Sequence, residues 1–299
     1  MTAAAAAAPR TRRAGRRLTP GKALSRTGFY LLVALFVVAS LFPFYWIVIT
    51  SLKTQGELIG GTTSLLPGHI SFGSYSADLT QTSTTGLNFA RSLLNSAIIA
   101  VSTTAITVVL AVLAGYALSR TRMRGKGPVL GFILMASFFP PLAMVGPLFL
   151  AYRNIGFLNN YPSLIITYLI YTLPLATWFL ANFFSQLPRQ LEEAAVVDGA
   201  SRLQALRRVI LPVAVPGIFT VAILSFILAW NDFAFAVSFM ETPDKYTAPL
   251  AIIGLGQSQY QVFYNRIDAA VVLVTLPVAL LVIFAQRRII SGLTAGALK

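Results

Sequence analysis

Six long apolar runs constrain this chain more than any other feature of its sequence. They are Phe29–Thr50, Ser92–Leu118, Pro128–Tyr152, Tyr161–Ser185, Val213–Met240 and Ala269–Gln286. Crossing the roughly 30 Å hydrocarbon core of a bilayer takes about 20 helical residues. The last run is short at 18 residues, and Ile267 can lengthen it. Only 11% of the chain is charged and 56% is hydrophobic, whereas an ordinary soluble domain is about 25% charged. A soluble fold of this size could not hide that much apolar surface, but lipid can act as its solvent. The expected class is an all-α integral membrane protein with six transmembrane helices. They occupy residues 28–287, between a polar, low-complexity tail at 1–27 and a short tail at 288–299.

The formal net charge is +14. Taken alone it suggests a nucleic-acid binder, but the basic residues sit in short clusters between the apolar runs. Of 23 lysines and arginines, 18 fall on one side of a six-span arrangement. These lie in the first tail, at Arg120, Arg122, Arg124 and Lys126, at Arg189, Arg202, Arg207 and Arg208, and at Arg287, Arg288 and Lys299. Lys53, Arg91, Arg153, Lys245 and Arg266 remain on the other. By the positive-inside rule both termini are cytoplasmic, and the basic first tail touches anionic head groups. A signal peptide is the competing reading of the start. The apolar run there is too long for one, and no small-x-small cleavage site follows it. A seventh apolar candidate, Tyr246–Asn265, contains Gly254, Gly256, Gln257, Gln259 and Gln261. Those residues are costly against lipid, so the segment reads as an outer loop that dips toward the membrane.

Several side-chain chemistries are excluded. There is no cysteine, so no disulfide, thiolate site or cysteine nucleophile is available. The single histidine, His69, rules out a multi-histidine zinc site and reads as a solvated loop residue. Prolines recur inside the spans at Pro43, Pro140, Pro141, Pro147, Pro174, Pro216 and Pro277. Each removes a backbone donor and tends to kink its helix. The cluster Phe138–Pro147 is the strongest candidate for a bend that shapes a pathway.

The longest polar segment on the inner side is Pro188–Pro212. It reads as two short helices. The first runs from about Arg189 to Asp198 and is stopped by Gly199 in the left-handed position after a helix. Ser201 caps the second, with Gln204 completing a capping box. Leu203, Leu206 and Ile210 then give that helix one apolar stripe. Ala194, Ala195 and Ala200 keep one surface slim. On these grounds the hairpin either enters a groove on another protein or lies on the lipid surface.

The spacing within this loop carries a resemblance. Glu193-Ala194-Ala195, three residues, Gly199, nine residues, Val209, one residue, then Leu211-Pro212 resembles the cytoplasmic loop motif of ABC-importer permeases. Asp198-Gly199-Ala200 is also typical, and Val209 departs from the usual isoleucine. The resemblance implies the type I ABC importer permease fold. It also implies that the loop is a coupling helix seated in a cleft of a separate ATPase, with Glu193 meeting polar partners and Gly199 permitting the bend. The chain cannot supply that ATPase. No G-x-x-x-x-G-K-[ST] phosphate loop exists, and the stretch Gly15 to Lys22 has the wrong spacing and is followed by Ala23.

Further resemblances narrow the family to carbohydrate uptake of the maltose type. Trp230-Asn231-Asp232-Phe233 is similar to an element late in the fifth span of sugar-importer permeases. The end, Gly292-Leu293-Thr294-Ala295-Gly296-Ala297-Leu298-Lys299, looks like the tail of the second, shorter permease, with Leu298 for valine and no last glycine. In such systems the tail reaches the ATPase dimer, which places Gly292, Thr294 and Gly296 as contacts. Ser51-Leu52-Lys53 with Glu57 fits as well. If residues 213–240 form one helix, Asp232 lies within the membrane. Intramembrane acids are by default functional candidates, so Asn231 and Asp232 are pathway or gate candidates. The alternative is an interfacial acid paired with Asn231 or backbone.

The resemblance implies a subunit that does no covalent chemistry and carries no cofactor. Its partners are a second, homologous permease, an ATPase dimer holding ATP and magnesium, an extracellular solute-binding protein and lipid, without nucleic acid. The solute expected is a di- or oligosaccharide such as maltose or trehalose, in the cell membrane. Glycerol phosphate is the alternative, but an anion would want basic residues inside the spans and none is seen. An intramembrane enzyme would need paired carboxylates, a Ser/His pair or metal ligands at membrane depth, where only Asp232 stands. A proton- or sodium-driven transporter would leave the loop motif unexplained.

Overall fold

The computed structural model describes residues 20–60, 64–83, 86–121, 123–255 and 262–294. Among them the regular structure is helical: α1 Pro20–Ser51, α2 Gln55–Ile59, α3 Gly73–Thr80, α4 Phe89–Arg120, α5 Lys126–Ser137, α6 Pro141–Asn154, α7 Tyr161–Gln186, α8 Gln190–Val197, α9 Arg202–Ala205, α10 Leu211–Trp230, α11 Ala234–Phe239, α12 Ala248–Leu255 and α13 Tyr264–Thr294. A π turn, Leu206–Ile210, joins α9 to α10, and a 3-10 turn, Pro243–Lys245, precedes α12. Two compact units divide between Trp46 and Ile47.

Most of α1 makes up the first unit. It is helical across Pro43, and its Phe29, Leu32 and Phe36 side chains are exposed. Such a surface is stable only against lipid or another apolar partner.

In the second unit, α4, α7 and α10 pack together and α13 packs on α10. Helices in lipid gain little from burying apolar surface, so they associate through close packing of small residues and hydroxyls. The α4–α7 seam follows that rule. A Cβ at Gly115 would stand 3.0 Å from the Ala181 amide nitrogen. Thr107 and Thr172 share a hydrogen bond of 2.9 Å across the seam. Toward the α8–α9 end Ala111, Leu180, Phe184, Leu206, Ile210 and Ala214 form one apolar cluster. Toward the opposite end Phe89, Ile99, Tyr168, Trp230, Phe235 and Phe239 anchor another.

Helix starts follow the sequence chemistry. The Asn88 side chain accepts from the Arg91 amide at 3.0 Å, and Asn160 accepts from Ser163 at 3.0 Å. Five helices are long and apolar enough to cross a membrane. The third expected span is instead α5 and α6, bent by 85°. The bend falls at residues 138–140, within the expected proline cluster, because Pro140 and Pro141 cannot donate to the preceding turn. Pro147 and Pro174 lie inside continuous helices.

The fifth span corrects an expectation of one helix over 213–240. It ends at Trp230, and α11 begins at Ala234. The segment after it is also more ordered than an outer loop. Helix α12 buries Ala248, Leu250, Ala251 and Leu255, and the Ala248 amide donates to Ser96 Oγ at 2.7 Å. Gly256, Gln257, Gln259 and Gln261 lie outside the described residues. On the outer side, Arg266 Nε meets the buried Asp78 carboxylate at 2.8 Å and ties α3 to α13.

Candidate functional site

The polar loop between α7 and α10 forms a helical hairpin at the basic side of the spans. Helix α8 begins after Pro188, with Glu192 and Glu193 in its first turn, where carboxylates favour the positive end of the helix dipole. Gly199 then takes φ +84°, the left-handed position expected of it. The Gly199 and Ala200 amides close the helix end on the carbonyls of Val196 and Ala195 at 3.0 and 2.9 Å. The capping box also forms: the Ser201 amide donates to Gln204 Oε1 at 2.8 Å, and the Gln204 amide donates to Ser201 Oγ at 3.3 Å.

The apolar stripe is different from the one read at Leu203, Leu206 and Ile210. Leu206 and Ile210 are buried, but Leu203 is 67% exposed and Ala205 takes the inward place. The reason is the π turn, which widens the helix and shifts its buried face. The second helix of the hairpin is therefore not separate. It runs through Leu211 and Pro212 into α10, so the loop is built onto a membrane span.

Helix α8 buries no residue. Glu193, Ala194, Asp198 and Gly199 are exposed and Ala195 is half-buried. Val197 is 86% exposed and Val196 beside it 48%. The face expected to meet an ATPase is thus open. Arg202, Arg207 and Arg208 are exposed too.

Three residues outside the expected set hold this hairpin. Arg120, in the last turn of α4, lies 3.8 Å from Glu192 with its side chain 4% exposed. Its guanidinium donates to the Phe184 and Leu187 carbonyls at 2.7 and 2.8 Å. The Tyr116 hydroxyl donates to Glu192 Oε1 at 2.5 Å. Arg120 reads in the sequence as one more topogenic charge. Glu192 stands beside the motif glutamate, and nothing in its spacing separates the two.

Asp232 sits in the break between α10 and α11. Its Oδ2 accepts from the Tyr168 hydroxyl at 2.8 Å and from the Ala236 amide at 3.2 Å. The expected alternative of pairing with backbone is thus present, although Asn231 is not the partner. Asn231 Nδ2 donates to the Ile227 carbonyl at 3.0 Å. Nearby, Tyr171 stacks on Phe235. It also lines an apolar groove of about 380 Å³ with Phe132 and Met135 of α5, Met144 of α6 and Phe139 in the bend between them. The two tail candidates Gly292 and Thr294 lie in the last turn of α13, and Gly296 lies outside the described residues. No cluster of metal-binding side chains occurs among the described residues.

Residues 107–294 match the family model described as binding-protein-dependent transport system inner membrane component. The chain is 40% identical over 274 residues to the trehalose transport system permease protein of Mycobacterium tuberculosis, covering 91% of this chain and 97% of that one. It is 37% identical over 265 residues to the trehalose/maltose transport system permease protein of Thermococcus litoralis, covering 89% and 94%. Among solved structures, a bacterial ABC transporter involved in the import of the acidic polysaccharide alginate shares its fold. The TM-score there is 0.77 at 24% identity, over 91% of this chain and 99% of that one.

Proposed function

This chain belongs to the family of binding-protein-dependent transport system inner membrane components, and we propose that it is the permease of a sugar importer that forms half the translocation pathway for a neutral disaccharide of the trehalose or maltose kind. The relatives named for trehalose and maltose support the solute class. So does the lining available: α7, α10 and the stretch of α4 between Arg91 and Arg120 carry Thr, Ser, Asn and Tyr but no lysine or arginine. Hydroxyls and amides suit a polyol, whereas an anion would need a counter-charge in lipid.

The observation that carries the coupling role is the open face of α8. A helix that buries no residue, bonded to α4 and joined across Gly199 to a second helix that runs through a π turn into α10, is suited to take up motion from outside the membrane. The motion comes from a separate ATPase dimer that holds ATP and magnesium. A second, homologous permease completes the pathway, and a solute-binding protein delivers sugar on the outer side. Closure of the ATPase pair drives both coupling loops inward, the spans open outward, and hydrolysis resets them. Glu193, Ala194, Ala195, Asp198 and Gly199 form the contact, with Leu211 and Pro212 leading it into α10.

The test is uptake by the whole transporter in proteoliposomes. Labelled trehalose or maltose should accumulate only with ATP inside and binding protein outside. Uptake that persists without the ATPase, or that follows a proton or sodium gradient, would overturn this reading. Transport of glycerol phosphate in place of sugar would overturn the solute alone.

A further inference from the structure

Helix α8 raises a mechanical question that its exposed face does not answer. A helix with no buried residue has little apolar grip on α4 and α7, the spans its hairpin does not run into. Its polar attachments are therefore its means of transmission to them. We infer that Glu192, Arg120 and Tyr116 form the linkage that carries displacement of α8 into α4 and α7. This rests on the coupling role proposed above and deepens it.

The geometry joins the three helices at one point. Glu192 projects from the first turn of α8 with its side chain 17% exposed. One carboxylate oxygen accepts from Tyr116 Oη at 2.5 Å, and the other lies 3.8 Å from Arg120 Nε. Both partners stand on the last turns of α4, four residues apart, and so share one face. Arg120 continues the chain of contacts into α7. It donates to the Phe184 carbonyl at 2.7 Å and the Leu187 carbonyl at 2.8 Å. The Phe184 carbonyl also accepts from the Leu187 amide at 3.2 Å, so Arg120 gives it a second donor and serves the Leu187 carbonyl just past the end of α7. Tyr116 packs edge-on against Phe184, with ring centroids 6.4 Å apart.

A guanidinium suits this position in a way an ammonium would not. Its Nη2 serves both carbonyls, and Nε in the same plane lies 3.8 Å from Glu192 as an ion pair without a hydrogen bond. With its side chain 4% exposed, solvent screens the pair little. Both glutamates line one cleft with Arg120, Arg189 and Arg202, but Glu193 is exposed and Glu192 is half-buried against α4. The two adjacent glutamates thus divide the work: Glu193 is open to the ATPase and Glu192 is bonded to the membrane helices. These are positioning residues, since neither sugar nor nucleotide touches them.

The experiment measures sugar moved per ATP hydrolysed by the assembled transporter in proteoliposomes, for the parent, Glu192→Gln and Tyr116→Phe. Glu192→Gln keeps an acceptor for Tyr116 but removes the charge that faces Arg120. Tyr116→Phe removes one hydroxyl and leaves the ring against Phe184. The linkage predicts a fall in that ratio on the order of tenfold for Glu192→Gln, in the range of ordinary site-to-site coupling, and a smaller fall for Tyr116→Phe. A role in folding alone would lower uptake and hydrolysis together through loss of complex and leave the ratio where it was. An unchanged ratio in either assembled variant overturns the linkage. If Glu192→Gln fails to assemble, Tyr116→Phe decides. Failure of the parent itself to couple uptake to ATP would instead overturn the proposed function.

Discussion

At Gly199 the backbone takes φ +84° between α8 and α9, and an added Cβ would meet nothing within 4 Å. The cost of a side chain there is backbone strain alone. Gly199→Ala should therefore lose about 1–2 kcal/mol, read as weakened recovery of the ATPase with the permease, and Gly199→Asn should lose less. The position was legible in the sequence because a glycine after a polar helix has few other uses. Glu192 was not, since two adjacent glutamates look alike until the fold turns one inward. On the outer side, burial pushes the Asp78 carboxyl up to about 6 from 3.8, against the opposing pull of Arg266. Between those values the folded chain holds a proton that the unfolded chain has released. The associated stability is full below about pH 4 and is lost as pH rises through 6. It amounts to about 3 kcal/mol. The melting temperature of the parent should fall relative to Asp78→Asn between pH 4 and 7. A constant difference between the two across that interval would contradict it.

Among the elements, the long spans were legible because their length and lack of charge leave no other solvent than lipid. Their breaks were less so. The bend between α5 and α6 was visible in Pro140 and Pro141, which act through the chain's own geometry. The break after Trp230 has no proline and depends on partners remote in sequence, Tyr168 above all. The π turn at Leu206–Ile210 was not read either, although Pro212 just after it lacks the amide that would bond back to that turn. Two tests follow. Gly115 lies against the backbone of α7, 3.0 Å from the Ala181 nitrogen and 3.2 Å from the Leu180 carbonyl carbon. Backbone cannot move aside as a side chain can, so Gly115→Ala should cost about 1–3 kcal/mol, seen as a lower melting temperature in detergent. Asp232→Ala strands the Tyr168 hydroxyl and the Ala236 amide, which should cost about 1–3 kcal/mol and loosen α11. Transport at the parental rate by an assembled Asp232→Ala complex would exclude any part for Asp232 in the pathway.

For the molecule as a whole, the distribution of charge and the open faces point the same way. A six-span reading of the sequence puts 18 of its 23 basic residues on one side, and among the described residues Arg120, Arg189, Arg202, Arg207 and Arg208 cluster at the α8–α9 hairpin. The span in α7 is the most buried of the candidates, and the one in α13 is much less so. That leaves apolar surface for lipid and for a companion permease. The hairpin, in contrast, has polar and small residues at its tip, the face proposed above to meet a protein partner. The spacing from Glu193 to Pro212 suggested that reading, but it could not show which side chains stay exposed once the chain has folded. Because the chain contains no cysteine, a single Glu193→Cys substitution offers one thiol for cross-linking in the assembled transporter. The account predicts that a short bifunctional reagent joins it to the ATPase, while the same reagent at an outer position, Ile70→Cys, does not. Cross-linking to lipid or to no protein from position 193, in a complex that hydrolyses ATP, would contradict the claim that this loop is where the permease meets its motor.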